Sequence, residues 1–319
     1  NFKPSKFLTI KNFENALTIL SAVGGSTNGI VHLTAMAGRL GFDLNLNEFD
    51  KMTKDTPMIV DLKPSGVGYM EDLFKSGGLP RILVELKDYL HLDTMTVSGE
   101  TLRALIEKSK YNWKQEIIRK TDNPIFEKGS IAVLTGNLAP GSAIIKQSAA
   151  SKELLLHEGI VEVFENLEDL ANRIDSEELN VTKDSILLLR NIGPIGAPGM
   201  PEAGLIPIPK KLAKIGVKDM VRISDGRMSG TASGTIVLHV CPEAAVGGTL
   251  NIVESGDVIK LDVVNRSIEL ILSDEEINLR KKKKNMKEIV KRRGYNKIFH
   301  EHVLQADKGV DFDFLRPID

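Results

Sequence analysis

The sequence has little of several residue types on which whole classes of protein depend. Its 319 residues include one cysteine, Cys241, so an internal disulfide is excluded, and the chain alone cannot build a zinc or iron–sulfur site from cysteines. Such sparse cysteine usage is typical of a reducing, cytosol-like compartment. Aromatic residues make up 5% and the net charge is -1, which is unlike a globally basic nucleic-acid binder or an acidic disordered chain.

Long apolar runs are also scarce. The longest uncharged and apolar-rich stretch, residues 19–38, could cross a bilayer by length, but its centre is the polar, glycine-rich segment 24–28, with His32 close behind. The sequence starts at Asn1, and no basic segment followed by an apolar run indicates a signal peptide. We therefore expect no membrane association and a cytoplasmic location, or a mitochondrial one in a eukaryote.

The first third of the chain has a mixed pattern of helix and strand. Apolar spacing predicts helices over residues 12–21, 30–40, 69–74 and 79–90. Gly41 stands where a glycine ends a helix, and Ser98 is a candidate cap for a helix over 100–109. Residues 58–62 form a buried strand candidate.

The pattern changes after the polar, charged stretch 110–129, where we place a domain boundary. Glycine-rich turns then separate short β-branched runs, which predicts a barrel or sandwich with helices such as 167–174 packed outside. Ser273 and Glu276 predict a capping box at the start of a last helix. The strand candidates are residues 131–134, 143–145, 160–164, 186–189, 221–223, 235–240, 250–253, 258–263 and 268–272.

One proline-rich segment, residues 191–209, carries a single charge, Glu202. A stiff loop loses little conformational entropy on folding, which suits it to hold one group in a fixed position. Two interpretations are open: an ordinary surface crossover with an incidental glutamate, or a loop that presents Glu202 as a metal ligand or acid–base group.

Two glycine-rich segments are further candidates for a site. Residues 224–234 combine glycines with hydroxyls between strand candidates, an arrangement that can bind an anion or activate a serine, although it is also found in ordinary turns. A serine needs a nearby base or cation, and this segment supplies Asp225 and Arg227. The segment 24–28 opens a predicted helix, where backbone N–H groups favour anions, but no GK[ST] follows as in a Walker A loop.

The remaining ionisable groups have simpler interpretations. We expect His239 to be a strand residue near the site and Cys241 to be a small buried group. The basic run 280–293 either contacts nucleic acid or an anionic surface, or forms a solvated helix face. Acidic residues 274–276 at the start of that helix match the helix dipole and favour the second interpretation.

Together these segments resemble the dihydroxy-acid and sugar-acid dehydratase family over nearly the whole chain. Two segments, residues 228–240 and residues 302–315 near the end of the chain, most resemble the pentonate branch of this family, the arabinonate or xylonate dehydratases. The matching segments are GGSTNGIVHL at 24–33, VDLKPSG at 60–66, GNLAPGSAIIKQSAA at 136–150, VFENLEDL at 163–170, GPIGAPGMPE at 193–202 and SDGRMSGTASGTIVLHVCPEAAVGG at 224–248.

The resemblance implies a hydro-lyase that removes water from a 2,3-dihydroxy acid and forms a 2-keto-3-deoxy acid. It implies an iron–sulfur cluster, 2Fe-2S or 4Fe-4S, that binds the C3 hydroxyl, and a Mg²⁺ ion that holds the carboxylate and the C2 hydroxyl. In this sequence it implies Ser229 as the base and Glu202 as a magnesium ligand. It further implies Thr231, Gly230 and Arg227 as substrate-binding residues.

The resemblance also implies that important parts of the site lie elsewhere. The family's cluster cysteines and its remaining magnesium ligands belong to an N-terminal region without a counterpart here, so we expect no cluster ligand in this chain. Residues 1–120 are then the end of a parallel-sheet α/β domain, and residues 121–319 a β-barrel-like, swivelling domain with flanking helices. We expect such a C-terminal portion to be inactive alone.

Partner and substrate expectations complete this interpretation. The resemblance implies a small sugar-acid substrate, no nucleic acid and a homo-oligomer, a dimer or tetramer. An alternative within the family is the dihydroxy-acid dehydratase of branched-chain amino-acid synthesis. An alternative from another class is a non-catalytic module that binds an anion or nucleic acid through the basic helix.

Overall fold

The computed structural model describes residues 3–63, 65–229, 233–284 and 293–317. Helices dominate the described residues before position 110. They are α1 (Pro4–Phe7), α2 (Ile10–Ala22), α3 (Asn28–Arg39), α4 (Leu46–Thr53), α5 (Met70–Lys75), α6 (Gly78–Glu85) and α7 (Leu102–Lys108). In the described ranges, no helix is long and apolar enough to cross a membrane.

An eight-stranded sheet dominates the second part of the chain. Its strands are β1 (Ala132–Leu134), β2 (Ser142–Ile145), β3 (Leu156–Phe164), β4 (Ile186–Leu189), β5 (Arg222–Ser224), β6 (Ile236–Cys241), β7 (Val258–Asp262) and β8 (Ser267–Leu270). The helices of this part are α8 (Leu167–Arg173), α9 (Lys210–Lys214), α10 (Asp274–Lys283) and α11 (Tyr295–His302).

The sheet curls until its two edge strands nearly meet. The strand order is β1-β2-β6-β5-β4-β3-β7-β8, with β3 to β6 parallel and the outer pairs antiparallel. Beyond β1, Thr135 bridges to Ser267 of β8, and the Ile268 amide donates to the Thr135 carbonyl at 2.9 Å. The predicted α/β class with a barrel-like sheet flanked by helices is confirmed.

The parallel strands are buried on both faces, as β4 shows. Ile186 and Leu188 pack into the barrel interior, whereas Leu187 and Leu189 pack into a second apolar cluster outside it. That outer cluster includes Leu170 of α8, so the predicted outside helix is confirmed. Burial on both faces explains why this strand is a continuous apolar run rather than an alternating one.

The helical part packs directly on the sheet. Phe13 and Leu17 of α2 share an apolar cluster with Ile131, Val133 and Ile144 of the barrel. Polar contacts reinforce this packing, because the buried Asp50 carboxylate of α4 accepts from the Val133 amide at 3.0 Å and pairs with Arg266 at 2.7 Å. The division of the chain near residue 120 stays a prediction.

Several predicted elements differ in detail. The strand candidate 250–253 is wrong, because residues Thr249–Ile252 form a short 3₁₀ helix whose apolar side chains are buried as a strand's would be. Residues 58–62 make isolated β-bridges rather than a regular strand. The cap of α7 is Thr101, not Ser98.

One predicted helix end is confirmed and one predicted helix start is confirmed in part. Gly41 has a φ of 83°, as a glycine after a helix requires. The Ser273 hydroxyl accepts from the Glu276 amide at 3.2 Å, and so caps α10. The Glu276 side chain, however, pairs with Arg280 at 2.9 Å instead of completing the capping box.

The Asp50 contacts generate a stability prediction. We expect Asp50→Ala to lower the free energy of unfolding by about 1–3 kcal/mol, since the Val133 amide and the Arg266 guanidinium lose their acceptor. Urea denaturation followed by circular dichroism measures the change. Glu48→Ala on the same helix is the control, because the exposed Glu48–Lys51 pair contributes little. Equal effects of the two substitutions would contradict the interpretation.

Candidate active site

Asp225 holds the proline-rich loop against the end of β5. Its buried carboxylate accepts from the amides of Asn191 and Ile192, both at 3.1 Å, and of Ala244 at 3.0 Å. Burial raises the pKa of Asp225 from 3.8 to about 6. The neighbouring Gly226 leaves no room for a Cβ atom, which would lie 2.4 Å from the Ile192 side chain. Asp225 therefore supports loop geometry rather than activating Ser229.

Glu243 also holds the proline-rich loop in place, through residues further along it. Its buried carboxylate accepts from the Ile195 amide at 2.9 Å and the Gly196 amide at 2.9 Å, and Gln305 donates to it at 2.8 Å. Burial raises the pKa of this carboxyl group. Two buried carboxylates, Asp225 and Glu243, thus hold the segment that leads to Glu202.

Asn28 connects Glu202 to the segment that carries Ser229. The Asn28 amide donates to the exposed Glu202 carboxylate and, at 3.4 Å, to the Met228 carbonyl. Glu202 also forms a backbone bridge with Arg227, and the Ala203 amide donates to the Arg227 carbonyl at 2.9 Å. Asn28 is 9% exposed and begins α3. The start of this helix, Glu202 and the residue before Ser229 therefore lie together.

Ser229 lines a cavity of about 30 Å³. The hydroxyl residues Ser26 and Thr27, which precede α3, line the same cavity, as does Lys146. The glycine-rich segment before α3 and the segment after β5 thus meet at this cavity. Gly230 and Thr231, two of the three predicted substrate-binding residues, lie outside the described residues.

Arg227 faces a different cavity. Its Nε donates to the Met200 carbonyl at 2.5 Å, and its side chain lines a space of about 260 Å³ with His32, Val310 and Asp311. The structure brings Glu202 and the Ser229 segment together, but Arg227 lines a different cavity from the one that Ser229 lines. Arg227 as a substrate contact stays a prediction.

His239 and Cys241 are buried in β6. Burial lowers the pKa of His239 to about 3, so its imidazole is neutral at pH 7. Burial also raises the pKa of the Cys241 thiol, which disfavours the thiolate that a metal would bind. His239 lies inside the predicted strand 235–240 and Cys241 directly after it, at the end of β6. At neutral pH the imidazole is uncharged and the thiol is protonated, so neither residue is ionised.

One residue of the basic run 280–293 forms ion pairs within the fold. Arg280 pairs with Asp257 at 2.7 Å and with Glu276 at 2.9 Å. Lys281, Lys282 and Lys283 are exposed on the last turn of α10. These contacts agree with a solvated helix face that is tied to the barrel through Arg280. Residues 285–292 lie outside the described part of the chain.

The donor atoms near Asn28 suit a hard cation better than a cluster. The exposed Glu202 carboxylate lies beside Asn28, whose buried Oδ1 has no hydrogen-bond partner among the described residues. Carboxylate and amide oxygens are ligands that Mg²⁺ accepts. The described residues contain no group of three or more His, Cys, Asp and Glu side chains placed for a metal. With Cys241 as its one cysteine, this chain does not fit an iron–sulfur cluster.

Two models of known protein families match this chain. Residues 1–105 match the model of the dihydroxy-acid/6-phosphogluconate dehydratase N-terminal region, and residues 116–310 match that of the C-terminal region. The chain belongs to this dehydratase family. The resemblance seen in its motifs is therefore confirmed.

Three similar proteins illustrate the range of the family. An L-arabinonate dehydratase of Rhizobium leguminosarum bv. trifolii is 46% identical over 99% of this chain and 55% of its own length. A 6-deoxy-6-sulfo-D-gluconate dehydratase of Pseudomonas putida is 43% identical over 98% of this chain and 55% of its own. A dihydroxy-acid dehydratase of Acetivibrio thermocellus is 38% identical over 97% and 55%. The chain spans about half the length of these relatives.

The sequence analysis predicts Glu202 and Ser229 as site residues but does not single out Asn28, which contacts Glu202, or Lys146, which lines the cavity of Ser229. Both residues stand inside the matching segments, at 24–33 and 136–150, and that position was the available signal. What the segments could not indicate was the contact of Asn28 with Glu202, which lies 174 residues further along the chain.

The Asn28 contacts generate a second prediction. At pH 7, Asn28→Asp would place two carboxylates together, so we expect it to be less stable than Asn28→Ala by about 1–3 kcal/mol. The difference is expected to shrink near pH 3, where carboxylates are protonated. Urea denaturation at the two pH values measures it. Adding Glu202→Gln is the control, because it removes the repulsion; an unchanged difference would contradict the contact.

The raised pKa of Asp225 generates a third prediction, on the pH dependence of stability. Between about pH 4 and 6 the folded chain binds more protons at this carboxyl than the unfolded chain, so its contribution to stability falls as pH rises. Relative to Asp225→Asn, we expect the wild-type free energy of unfolding to fall by about 1–3 kcal/mol from pH 4 to pH 7. Denaturation curves across this range measure it, with exposed Asp184→Asn as control. Parallel curves for wild type and Asp225→Asn would refute it.

Proposed function

We propose that this chain forms the serine-bearing part of a hydro-lyase that removes water from a 2,3-dihydroxy acid. The proposed substrate is a sugar acid such as a pentonate, and the product a 2-keto-3-deoxy acid. The observation that carries the proposal is the contact of Asn28 with both the Glu202 carboxylate and the Met228 carbonyl. It brings the Glu202 carboxylate next to Met228, the residue before Ser229, although the two come from separate loops.

Ser229 is the proposed base. In this scheme its oxygen, as an alkoxide, receives the C2 proton while the C3–O bond breaks. The departing hydroxide takes that proton from the serine and leaves as water, and the enol so formed tautomerises to the 2-keto acid. An alkoxide is a strong base whose formation requires nearby positive charge or hydrogen-bond donors. The hydroxyls of Ser26 and Thr27 line the same cavity and are available as donors.

Glu202 is the proposed magnesium ligand from this chain. Bound magnesium would neutralise the negative charge that builds on the substrate carboxylate and the C2 oxygen as the C2 proton leaves. Asn28 fixes the direction of the Glu202 carboxylate, which is otherwise exposed. Arg227, Gly230 and Thr231 are the proposed substrate contacts. Because this chain does not fit an iron–sulfur cluster, no step is assigned to one here.

The choice of a sugar acid rests on the relatives. The sugar-acid dehydratases are 46% and 43% identical to this chain, against 38% for the dihydroxy-acid dehydratase. The dehydration of a branched dihydroxy acid is therefore the second candidate, and it uses the same residues. A cytoplasmic location and a homo-oligomeric assembly belong to the same proposal and rest on the family alone.

The test uses the whole protein that contains this chain, purified without oxygen, with formation of 2-keto acid from a pentonate measured as its semicarbazone. We expect Ser229→Ala to lower kcat by about 10²–10⁴-fold, as loss of a general base does. Ser233→Ala, an exposed serine four residues further along, is the control and should keep its activity. Glu202→Gln is expected to raise the magnesium concentration needed for half-maximal rate.

Three outcomes would count against parts of this proposal. Turnover of a branched 2,3-dihydroxy acid but not of a pentonate would favour the second candidate. Turnover of neither acid would overturn the proposed function. Turnover by the isolated 319-residue chain with added iron, sulfide and magnesium would show that the chain needs no further ligands.

A further inference from the structure

The cavity of Ser229 contains a lysine that the proposed reaction has not used. Lys146 follows β2 directly, and its half-buried side chain lines the cavity together with Ser229, Ser26 and Thr27. The apolar side chains of Ile236 and Leu238 form other parts of the wall. With a volume of about 30 Å³, the space has room for about one water molecule.

Lys146 is poorly solvated, and within the described part of the chain no charged partner compensates for this. Burial lowers its pKa, and no carboxylate of the described residues contributes to that shift. The two charged residues near Ser229 in sequence are engaged elsewhere: Asp225 accepts from backbone amides, and Arg227 Nε donates to the Met200 carbonyl. Among the described residues that line this cavity, Lys146 is the one cation.

We propose that the Lys146 ammonium stabilises the anionic form of Ser229 and thereby makes this serine a base. The attraction between an ammonium and an alkoxide is strong where water is scarce, because the effective dielectric constant is low. Lys146 keeps its proton throughout, while the serine proton leaves to solvent and the C2 proton of the substrate later arrives at the serine oxygen.

This inference rests on the proposed role of Ser229, and Lys146 acts through that residue. It is therefore a positioning residue rather than a catalytic one. The same cavity could in principle hold a neutral lysine that takes the serine proton itself. That mechanism requires a lysine that has lost its proton, whereas ours requires a permanent charge, so an arginine at the same position separates the two.

A thiol at position 229 gives a direct measure of the field there. In Ser229→Cys the pH dependence of alkylation by iodoacetamide reports the pKa of the new thiol, whose ordinary value is about 8.5. The natural Cys241 is 2% exposed and its pKa is raised, so it adds little background, which the wild-type chain measures. We expect Ser229→Cys/Lys146→Met to have its alkylation midpoint about 1 pH unit higher than Ser229→Cys.

Two further variants complete the experiment. Ser229→Cys/Lys146→Arg should keep the lower midpoint, because the charge is retained. Ser229→Cys/Lys152→Met removes an exposed lysine close in sequence and should leave the midpoint unchanged. Circular dichroism checks that each variant is folded, and Lys146→Gln replaces Lys146→Met if the methionine variant is not.

The outcomes separate this inference from the proposed function. Equal midpoints for Ser229→Cys/Lys146→Met and Ser229→Cys/Lys152→Met would overturn it, and so would an arginine variant that behaves like the methionine variant. The assay needs no dehydratase activity, so its result holds whatever the whole protein catalyses. In the whole protein, Lys146→Met should lower kcat by about 10-fold with KM little changed, and Lys146→Arg should retain most of the rate.

Discussion

A single side-chain amide joins the separate parts of the candidate site. Asn28 begins α3 in the helical part of the chain, and it donates to a carboxylate on the proline-rich loop and to a carbonyl that precedes Ser229. Glu202 is exposed, so packing by the described residues restricts the direction of its carboxylate little. The geometry on which the proposed chemistry depends is therefore set by one buried amide, whose position follows from the packing of α3 on the barrel.

Buried carboxylates give the loops around that amide their shape. Asp225 and Glu243 each accept from backbone amides of residues 191–196, which would otherwise lack partners in a segment without regular structure. Burying such groups is costly, and the raised pKa of each carboxyl is the sign of that cost. The hydrogen bonds offset it and fix the loop in one conformation. A loop made stiff by proline alone would have a definite shape but no fixed position on the barrel.

Local patterns predicted most of the barrel because most of its strands contain a short β-branched or apolar run. The exception, residues Thr249–Ile252, has the same composition because a buried 3₁₀ turn also needs apolar side chains. Glu202 and Ser229 were found through motifs. The contacts of Asn28 were not predictable, since they span 174 and 200 residues and depend on how α3 packs. Lys146 was missed for the same reason, because it reaches the Ser229 cavity from β2.

The separation of the two cavities has a consequence for how such a chain can diversify. Ser229 and Lys146 line one space, whereas His32, Met200, Arg227 and Val310 line another. Exchanging His32, Met200 or Val310 would reshape the second space and leave the hydroxyls and the ammonium of the first in place. Point mutations in a lineage with this architecture can therefore change the shape of one cavity, while the cavity with the proposed proton-transfer residues Ser229 and Lys146 stays unchanged.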